Sequence, residues 1–492
     1  MFLGIDAGTS SIKVLVLDDA HRVVASADTP LELQRPHPLW SEQHPEDWWT
    51  ALTLAMQRLR DQGVDTRAIQ AVGYSGQMHG AVLLDAAGGV LRPAILWNDG
   101  RSGAACEALM RQPSFLAASG NLAMPGFTAP KLMWLREQEP DVFARVATVL
   151  LPKDWLRWRM SGERVSDMSD ASGTLWLDIA RRAWSDDLLQ MSGLRREQMP
   201  RLVEGNAVAG QLTPKAAQEL GLTAGIPLAG GAGDNAASAV GVGASRVGEG
   251  FVSLGTSGVI FCISAAHQPN PAQGLHAFAH ALPGLWHGMS VMLSAASAID
   301  WAQRTLGFAS VAALFAAVEA LSPAQQDESP LFLPYLSGER TPHNNPHASA
   351  VWMGLRHGQS NAQMAYAVVE GVSFGLMDGA SAMGATFDAA RELALTGGGS
   401  RSAFWATLLA SGLDRPLFLP EHGDVGAALG AARLAWMALG ATPQEACAAP
   451  GAADSARRFA PQAALRERLL PRHQRHQRLY RALREEFVPA AD

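Results

Sequence analysis

The stretch FLGIDAGTSSIKVLVLD, residues 2–18, returns in degraded form as FVSLGTSGVIFCIS, residues 251–264, and the two share a Gly-Thr-Ser core. In each copy, short aliphatic and β-branched runs flank this core, a pattern that predicts a β-hairpin. The corner glycine permits a positive φ, and the backbone N–H groups and hydroxyls around it can surround an anion. Two such corners, half a chain apart, predict two lobes that bind one polyphosphate between them.

The two copies differ at one position that matters for charge. Aligning the corners places Asp6 of the first copy opposite Ser253 of the second. Carboxylate oxygens are ligands that Mg²⁺ prefers, so this asymmetry predicts one Mg²⁺ anchor, at Asp6, rather than two. The corner residues expected around the phosphates are Gly8, Thr9 and Ser10 in the first hairpin and Gly255, Thr256 and Ser257 in the second.

Length and composition indicate a loop-rich α/β protein of more than one domain. The chain has 492 residues, of which 48% are hydrophobic and 17% charged, with 48 glycines and 28 prolines. A formal net charge of −7 argues against a nucleic-acid partner. The 3 cysteines are far apart, which excludes a disulfide framework, and no window is apolar enough for a membrane span. The composition therefore predicts a cytoplasmic protein without membrane or nucleic-acid partners.

The order of periodic segments indicates two lobes. A helix is predicted from Glu46 to Gln62, and further helices around 294–306 and 362–384. The Gly- and Ala-rich stretch before the second hairpin can bend or bring backbones close together. We place the lobe boundary there, near residue 245, giving an N-terminal lobe of residues 1–245 and a C-terminal lobe of residues 246–492.

A third candidate ligand loop lies in the second half. Gly397, Gly398 and Gly399 follow a predicted strand and precede a predicted helix, with Ser402 at its start. For an isolated glycine triplet a plain strand-to-helix connection is the commoner explanation. The usual nucleotide signatures are missing from the sequence, because it contains neither a Gly-Lys pair for a Walker A loop nor a GxGxxG. A bound nucleotide would therefore need another architecture.

A kinase acting on a small alcohol also needs a general base beside the acceptor hydroxyl. The best candidate is Asp234, whose small neighbours leave its carboxylate accessible and whose neighbour Asn235 offers both a donor and an acceptor. An equally good interpretation from the sequence is that Asp234 only caps the Ala-rich helix that follows.

A second polar cluster, Gln77, Met78 and His79, lies at the end of a predicted strand, where α/β proteins often bind ligands. His79 could donate to a sugar oxygen or be satisfied by backbone partners. The nearby loop Trp97–Arg101 could form a sugar wall or an ordered turn held by an Asp–Arg pair.

Three other patterns favour structural roles. The GxSxG match at residues 371–375 lies in a helical pattern, without the strand that a hydrolase elbow requires. His276 and His280 alternate like a hairpin rather than like a zinc pair. The basic run at residues 472–478 carries an apolar stripe and predicts a closing helix with a solvated face.

Seven strings, in this order, resemble one family: IDAGTSSIK, GQMHG, WNDGR, GDNAA, SLGTSG, SGERTPH and GGGSRS. The chain resembles the FGGY carbohydrate kinases over nearly its whole length, and most closely the bacterial members that act on D-xylulose. The resemblance implies two ribonuclease-H-like lobes of the actin and hexokinase type, with ATP in the cleft and the sugar beneath it. It assigns no role to the SGERTPH string.

The resemblance also implies roles for individual residues. Asp234 matches the general base that takes the C5 hydroxyl proton of D-xylulose, and Asp6 matches the carboxylate that holds Mg²⁺. Substrate contacts are implied for Met78, His79, Asn235 and Gln77. The implied ATP contacts are Gly8, Thr9, Ser10, Gly255, Thr256, Ser257, Gly398, Gly399 and Ser402.

Alternatives remain open at this stage. Relatives that act on ribulose, gluconate, glycerol or deoxy-sugars share the ATP machinery, so the sugar is not fixed. A chaperone or filament ATPase would share the hairpins but would not need the His79 and Asp234 clusters, and a non-catalytic sugar-responsive protein would not need both aspartates. The resemblance also allows a homodimer.

Overall fold

Each Gly-Thr-Ser corner joins two antiparallel strands in the computed structural model, which describes residues 1–421, 423, 426–447 and 457–488. Phe2–Ala7 and Ser11–Leu17 form the first hairpin, and Gly250–Leu254 and Gly258–Ser264 form the second. Each leading strand also pairs in parallel with a later strand, as the predicted duplication requires.

Each hairpin lies in a large mixed sheet. In spatial order the first sheet contains Val208–Gln211, Pro227–Ala229, Ala71–Gly76, Phe2–Ala7, Ser11–Leu17 and Val23–Pro30, with Ala232–Gly233 paired to Ala71–Gly76 outside this path. The second contains His276–Ala279, Trp286–Met292, Gly258–Ser264, Gly250–Leu254, Leu393–Thr396, Leu417–Phe418 and Arg458–Phe459.

Helices and short strand pairs surround these sheets. The helices are Pro45–Asp61, Gly103–Met110, Phe115–Ser119, Thr128–Gln138, Pro140–Ala144, Pro152–Ser161, Met168–Ser172, Asp186–Met191, Pro214–Leu220, Asp234–Gly241, Ala296–Thr305, Val311–Glu319, Pro323–Asp327, Asn361–Met383, Ala385–Asp388, Ala403–Leu413, Gly426–Ala438, Pro443–Cys447 and Ala463–Leu483. The short pairs are Glu42–Gln43 with Ala94–Ile95, Val82–Leu84 with Thr148–Leu150, Val165–Asp167 with Arg201–Val203, Leu177–Asp178 with Ala183–Trp184, and Leu331–Leu333 with Val351–Met353. Among the described residues, no helix combines the length and apolar character needed to cross a bilayer.

Most of the predicted helices and turns are confirmed. The expected helix at residues 46–62 is Pro45–Asp61, and the GxSxG match lies inside the helix Asn361–Met383. His276 and His280 belong to an antiparallel hairpin, as their alternation predicted. The corner glycines differ from the prediction, because neither Gly8 nor Gly255 has a positive φ.

The basic run at residues 472–478 is only partly a solvated face. It lies in the helix Ala463–Leu483, but Arg472 Nη2 pairs with Glu370 Oε2 at 2.6 Å and His473 Nε2 contacts Asp378 Oδ1 at 2.8 Å. Two acidic groups of a buried helix attract these side chains inward, and a hydrophobic pattern read from one helix cannot reveal partners on another.

A pair of crossed helices connects the two sheets. The helix Asp234–Gly241, from the first half of the chain, packs on the second sheet, where Ala239 shares a hydrophobic cluster with Phe251 and Phe261. The helix Gly426–Ala438, from the second half, packs on the first sheet, in a cluster that includes Phe2 and Leu15. Each half of the chain therefore covers the sheet of the other half.

Glycines allow these helices to come this close. A Cβ on Gly430 would lie 1.8 Å from the Ala237 carbonyl oxygen, and one on Gly241 would lie 1.8 Å from the Gly426 oxygen. On the first sheet, a Cβ on Gly4 would lie 2.0 Å from the Ala428 oxygen. The helices thus touch through their backbones, and a side chain of any size at these positions would force them apart.

A buried ionic network supports the loop that precedes helix Asp234–Gly241. Lys153 Nζ lies 2.6 Å from Asp154 Oδ1, 2.7 Å from Asp167 Oδ1 and 3.1 Å from Asp170 Oδ2, and all four side chains are fully buried. The three carboxylates have the proximity of a metal site, but the Lys153 ammonium occupies the position between them. Arg157 completes the network by bonding Asp154 Oδ1 at 2.8 Å.

Two hydrogen bonds connect this network to the loop. Arg157 Nη1 donates to the Gly230 carbonyl oxygen. The Gly233 N–H donates to Ser169 Oγ at 3.1 Å, and that hydroxyl in turn donates to Asp167 Oδ2 at 2.5 Å. Burial raises the pKa of Asp170 well above its ordinary value, which favours its neutral form and brings the network towards charge balance. The network therefore fixes the backbone immediately before Asp234.

The first prediction concerns the helix crossing. Gly430→Ala should lower the free energy of unfolding by about 2–3 kcal/mol, because the added methyl group overlaps the Ala237 carbonyl. Gly358→Ala is the matched control, because nothing lies within 4 Å of a Cβ at that exposed turn. Equal unfolding midpoints in urea for the two variants would contradict the proposed contact.

The second prediction concerns the buried network. Lys153→Met should cost about 3–5 kcal/mol in unfolding free energy, because it leaves buried carboxylates without their cation. Lys215→Met, at an exposed lysine, should change it by less than about 0.5 kcal/mol. Chemical denaturation of both variants checks this, and a stable Lys153→Met protein would argue against the network.

Candidate active site

A cavity of about 960 Å³ lies between the two halves of the chain. From the first half, its wall includes Met78, His79, Asp234 and Asn235, so four of the predicted site residues do come together. From the second half, its wall includes His276, Phe278, Met289, Val291 and Arg340. A cavity with convergent polar groups and this volume suits a small polyhydroxylated molecule.

Asp234 does not occupy the N-cap position, which belongs to Gly233, and its carboxylate lines the large cavity. It is the first residue of the helix Asp234–Gly241, and its Oδ1 accepts hydrogen bonds from the Asn235 backbone N at 2.7 Å and Asn235 Nδ2 at 3.0 Å. Oδ2 accepts no hydrogen bond from the residues that the structure describes. Burial, with a smaller contribution from the negative charge of Asp6, raises the pKa of Asp234 to about 6. The carboxylate is thus ionised at neutral pH and basic enough to take a proton.

The hydrogen bond that His79 makes to the backbone decides which of its two ring nitrogens is left as an acceptor. Its Nδ1 lies 2.7 Å from the Gly173 carbonyl oxygen, so Nδ1 must carry the proton. Burial lowers the pKa of His79 to about 3, which keeps the ring neutral and leaves Nε2 unprotonated. Of the two interpretations left open for His79, the structure shows the backbone partner, and Nε2 of this tautomer can accept from a sugar hydroxyl but not donate to a sugar oxygen.

Gln77 does not reach the wall of this cavity, although it was expected to contact the substrate. Its side chain is buried, where Oε1 accepts from Thr9 Oγ1 at 3.0 Å and Nε2 donates to Gln43 Oε1 at 3.2 Å. Gln77 is the first residue after the strand Ala71–Gly76, and its side chain bonds to the first hairpin, whereas Met78 and His79 line the cavity. Gln77 therefore positions the corner of that hairpin.

The polar loop after residue 96 combines both interpretations that the sequence left open. Arg101 Nη2 and Asp99 Oδ2 lie 2.7 Å apart and hold the turn, while Trp97 and Asn98 line the large cavity. Trp97 Nε1 also donates to Thr9 Oγ1 at 2.9 Å, which connects the cavity wall to the first hairpin.

A second cavity, of about 350 Å³, adjoins the first. Asp6 and Lys13 of the first hairpin line it, as does Ser253 of the second, so both hairpins face one space as predicted. Burial raises the pKa of Asp6, against the opposing effects of Ser75 and Lys13. Asn235 lines both cavities, and this shared residue marks the boundary between them.

The glycine-rich loop borders this second cavity through Gly397. Gly397, with φ 82°, lines it, and a Cβ there would lie 2.9 Å from the Gly255 nitrogen. Ser402 caps the helix Ala403–Leu413 through a 3.2 Å bond from the Trp405 N–H. The expected phosphate and adenosine contacts all lie outside the cavity lining; they are Gly8, Thr9, Ser10, Gly255, Thr256, Ser257, Gly398, Gly399 and Ser402.

Sequence reasoning did not assign a site role to Arg340 or His276. Both line the large cavity, and Arg340 Nη1 lies 3.2 Å from His276 Nε2. The string that contains Arg340 was recognised, but its partner lies 64 residues away in a hairpin whose alternation indicated only strand structure. No local spacing could have paired them.

Comparisons with known proteins agree with this architecture. Residues 1–241 match the N-terminal domain of the FGGY family of carbohydrate kinases, and residues 250–439 match its C-terminal domain. The chain is 49% identical to the xylulose kinase of Escherichia coli (strain K12) over 491 residues, covering 99% of this chain and 98% of that protein. It is 50% identical to the xylulose kinase of Klebsiella pneumoniae over 441 residues, covering 89% and 90%.

Solved structures show the same fold. A xyloylose kinase from Brucella ovis superposes with a TM-score of 0.93 at 47% identity, covering 98% of this chain and 99% of that one. A xylulose kinase from Rhodospirillum rubrum gives a TM-score of 0.90 at 28% identity, with 99% of each chain covered. The predicted pair of ribonuclease-H-like lobes is thereby confirmed, and the chain belongs to the FGGY family of carbohydrate kinases.

Proposed function

We propose that this chain transfers the γ-phosphoryl group of ATP to the C5 hydroxyl of D-xylulose, with Asp234 as general base. One observation carries the proposal: Asp234 lines the large cavity, and its neighbour Asn235 lines both that cavity and the smaller cavity that both hairpins face. A sugar in the first and a triphosphate in the second would meet at this boundary. The 49% identity to a xylulose kinase over nearly the full chain supports D-xylulose as the sugar.

The chemical step needs positioning and one proton acceptor. As the C5 oxygen attacks the γ-phosphorus, Asp234 Oδ2 takes the hydroxyl proton, and the bond between the γ-phosphorus and the bridging oxygen breaks to release ADP. The bonds from Asn235 hold the other carboxylate oxygen, so the free oxygen keeps one orientation. His79 Nε2 accepts from another sugar hydroxyl, and Met78 closes the cavity against Gly233 and Gly173.

The smaller cavity suits a triphosphate accompanied by a divalent cation. Asp6, Ser253, Thr396 and the Asn235 amide offer oxygen atoms around it, which is the donor type that Mg²⁺ prefers. Mg²⁺ bound there through Asp6 would neutralise charge on the phosphates. The corners at residues 8–10 and 255–257 would donate backbone N–H groups to the phosphates, and Gly398, Gly399 and Ser402 would border the adenosine.

We also propose that the enzyme works in the cytoplasm. Cys106, Cys262 and Cys447 are free and buried, as expected for a protein kept in a reducing cytoplasm, where ATP is also available. A homodimer, which the family resemblance allows, stays a prediction.

Substrate identity is tested by measuring ADP release across a panel of ketoses and polyols. D-Xylulose should give the highest kcat/KM, with xylulose 5-phosphate as the product. A higher kcat/KM for ribulose, gluconate or glycerol would replace D-xylulose as the substrate, and no ADP release with any sugar would reject the kinase assignment.

The role of Asp234 is tested by substitution. Asp234→Ala should lower kcat by about 10²–10⁴-fold, the usual contribution of a general base, while ATP affinity measured by calorimetry stays nearly unchanged. Asp300→Asn, at an exposed aspartate of the helix Ala296–Thr305, serves as the control and should keep full activity. Retained turnover in Asp234→Ala would refute the assigned base.

The raised pKa of Asp234 predicts a pH dependence. Because the base must be ionised, kcat/KM for D-xylulose should fall about tenfold per pH unit below pH 6, the value to which the pKa of Asp234 is raised. The residual activity of Asp234→Asn should lack this acid limb. A profile that stays flat down to the ordinary range of an exposed aspartate would show that Asp234 does not titrate as the base.

A further inference from the structure

The guanidinium of Arg340 lines the sugar cavity and forms no ion pair with a carboxylate in the part of the chain that the structure describes. It is part-buried, and among the described residues its side chain makes one hydrogen bond, from Nη1 to His276 Nε2 at 3.2 Å. Burial lowers the pKa of Arg340, in keeping with a cation that has lost water without gaining an ion pair. Charged groups removed from water normally pair with an opposite charge or donate to several acceptors. Most of the donors of Arg340 are therefore available to a ligand.

The adjacent carboxylate is turned away from the guanidinium. Glu339 Oε1 accepts from the Arg340 backbone N at 2.7 Å and from the Leu293 N at 3.0 Å. Burial raises the pKa of Glu339 to about 8, so it is mainly neutral at pH 7. Glu339 thus fastens the backbone of Arg340 to the neighbouring strand, and among the described residues it forms no ion pair with the Arg340 guanidinium.

The following residue fixes the same segment from the other side. The Thr341 N–H donates to the Val291 oxygen at 3.1 Å, and the Val291 N–H donates to Thr341 Oγ1 at 3.1 Å. Thr341 Oγ1 also donates to the Gly274 oxygen at 3.0 Å. Arg340 therefore projects from a rigid backbone, a property expected of a group that selects a ligand.

His276 orients the guanidinium and has a defined protonation state. Arginine can only donate, so His276 Nε2 must accept and its proton lies on Nδ1. Burial, reinforced by the positive charge of Arg340, holds the pKa of His276 well below its ordinary value. His276 packs between Phe127 and Phe278, at ring-centroid distances of 5.6 Å and 5.7 Å, and cannot turn away.

We infer that Arg340, oriented by His276, donates to the ketone oxygen of the sugar and selects a ketose over the corresponding polyol. The inference rests on the proposed function, in which Asp234 receives the C5 hydroxyl. Asp234 and Arg340 line the same cavity from opposite halves of the chain, and with C5 of a pentulose at Asp234 we place its C2 carbonyl at Arg340. A carbonyl oxygen only accepts and is satisfied by Arg340 alone. A C2 hydroxyl could also accept from Arg340, but its own proton would find His276 Nε2 already occupied by Arg340.

The same chemistry predicts what happens without Arg340. In Arg340→Met, His276 Nε2 loses its donor and becomes a free acceptor. A C2 hydroxyl can donate to it, whereas a C2 carbonyl cannot. The loss should therefore fall mainly on the ketose.

The experiment compares D-xylulose with D-arabinitol, one of the two polyols formed when its carbonyl is reduced. Arg340→Met should lower kcat/KM for D-xylulose by about 10- to 100-fold, the range for losing a hydrogen bond from a charged donor. The inhibition constant of D-arabinitol against D-xylulose should rise by less than about threefold, because its C2 hydroxyl can donate to His276 Nε2 instead. Arg356→Met, at an exposed arginine, is the control and should leave both constants unchanged.

Further measurements separate this role from a structural one. Arg340→Lys should give an intermediate loss, because it keeps a donor but not the planar fork. A merely structural effect of either substitution would weaken ketose and polyol alike, so the ratio of the two losses separates a structural role from the loss of a donor. Equal losses for ketose and polyol, or no loss for either, would overturn the inference while leaving the kinase assignment intact. Failure of the wild-type chain to phosphorylate D-xylulose would instead reject the proposed function.

Discussion

The whole architecture depends on the close crossing of two helices, Asp234–Gly241 and Gly426–Ala438. Their backbones touch because Gly241 and Gly430 present no side chain at the contact. Each helix covers the sheet contributed by the other half of the chain, so the halves cannot be separated without exposing both hydrophobic clusters. The crossing therefore fixes the position of one sheet relative to the other and, with it, the distance between the two hairpins.

The helix crossing also positions the side chains proposed to react with the substrate. The first residues of one crossed helix are Asp234, which lines the large cavity, and Asn235, which lines both cavities. Behind them, the buried network around Lys153 holds the Gly230 and Gly233 backbone. A general base needs a raised pKa and one fixed orientation, and the burial of Asp234 together with the bonds from Asn235 provides both.

The sequence predicted those features whose determinants are local. The repeated Gly-Thr-Ser corner indicated both hairpins, and apolar spacing indicated the helices Pro45–Asp61 and Asn361–Met383. Contacts between distant segments could not be inferred in this way. The donor pattern of His79 depends on Gly173, the inward turn of Gln77 depends on Gln43, and the pairing of Arg340 with His276 needs the second sheet. The lobe boundary near residue 245 stays a prediction.

The most direct test of the account is a crystal structure of the chain with D-xylulose and a non-hydrolysable ATP analogue. The account predicts the C5 hydroxyl within about 3 Å of Asp234 Oδ2. It also predicts the terminal phosphate in the cavity lined by Asp6 and Ser253. A different hydroxyl at Asp234, or a nucleotide bound outside that cavity, would contradict it.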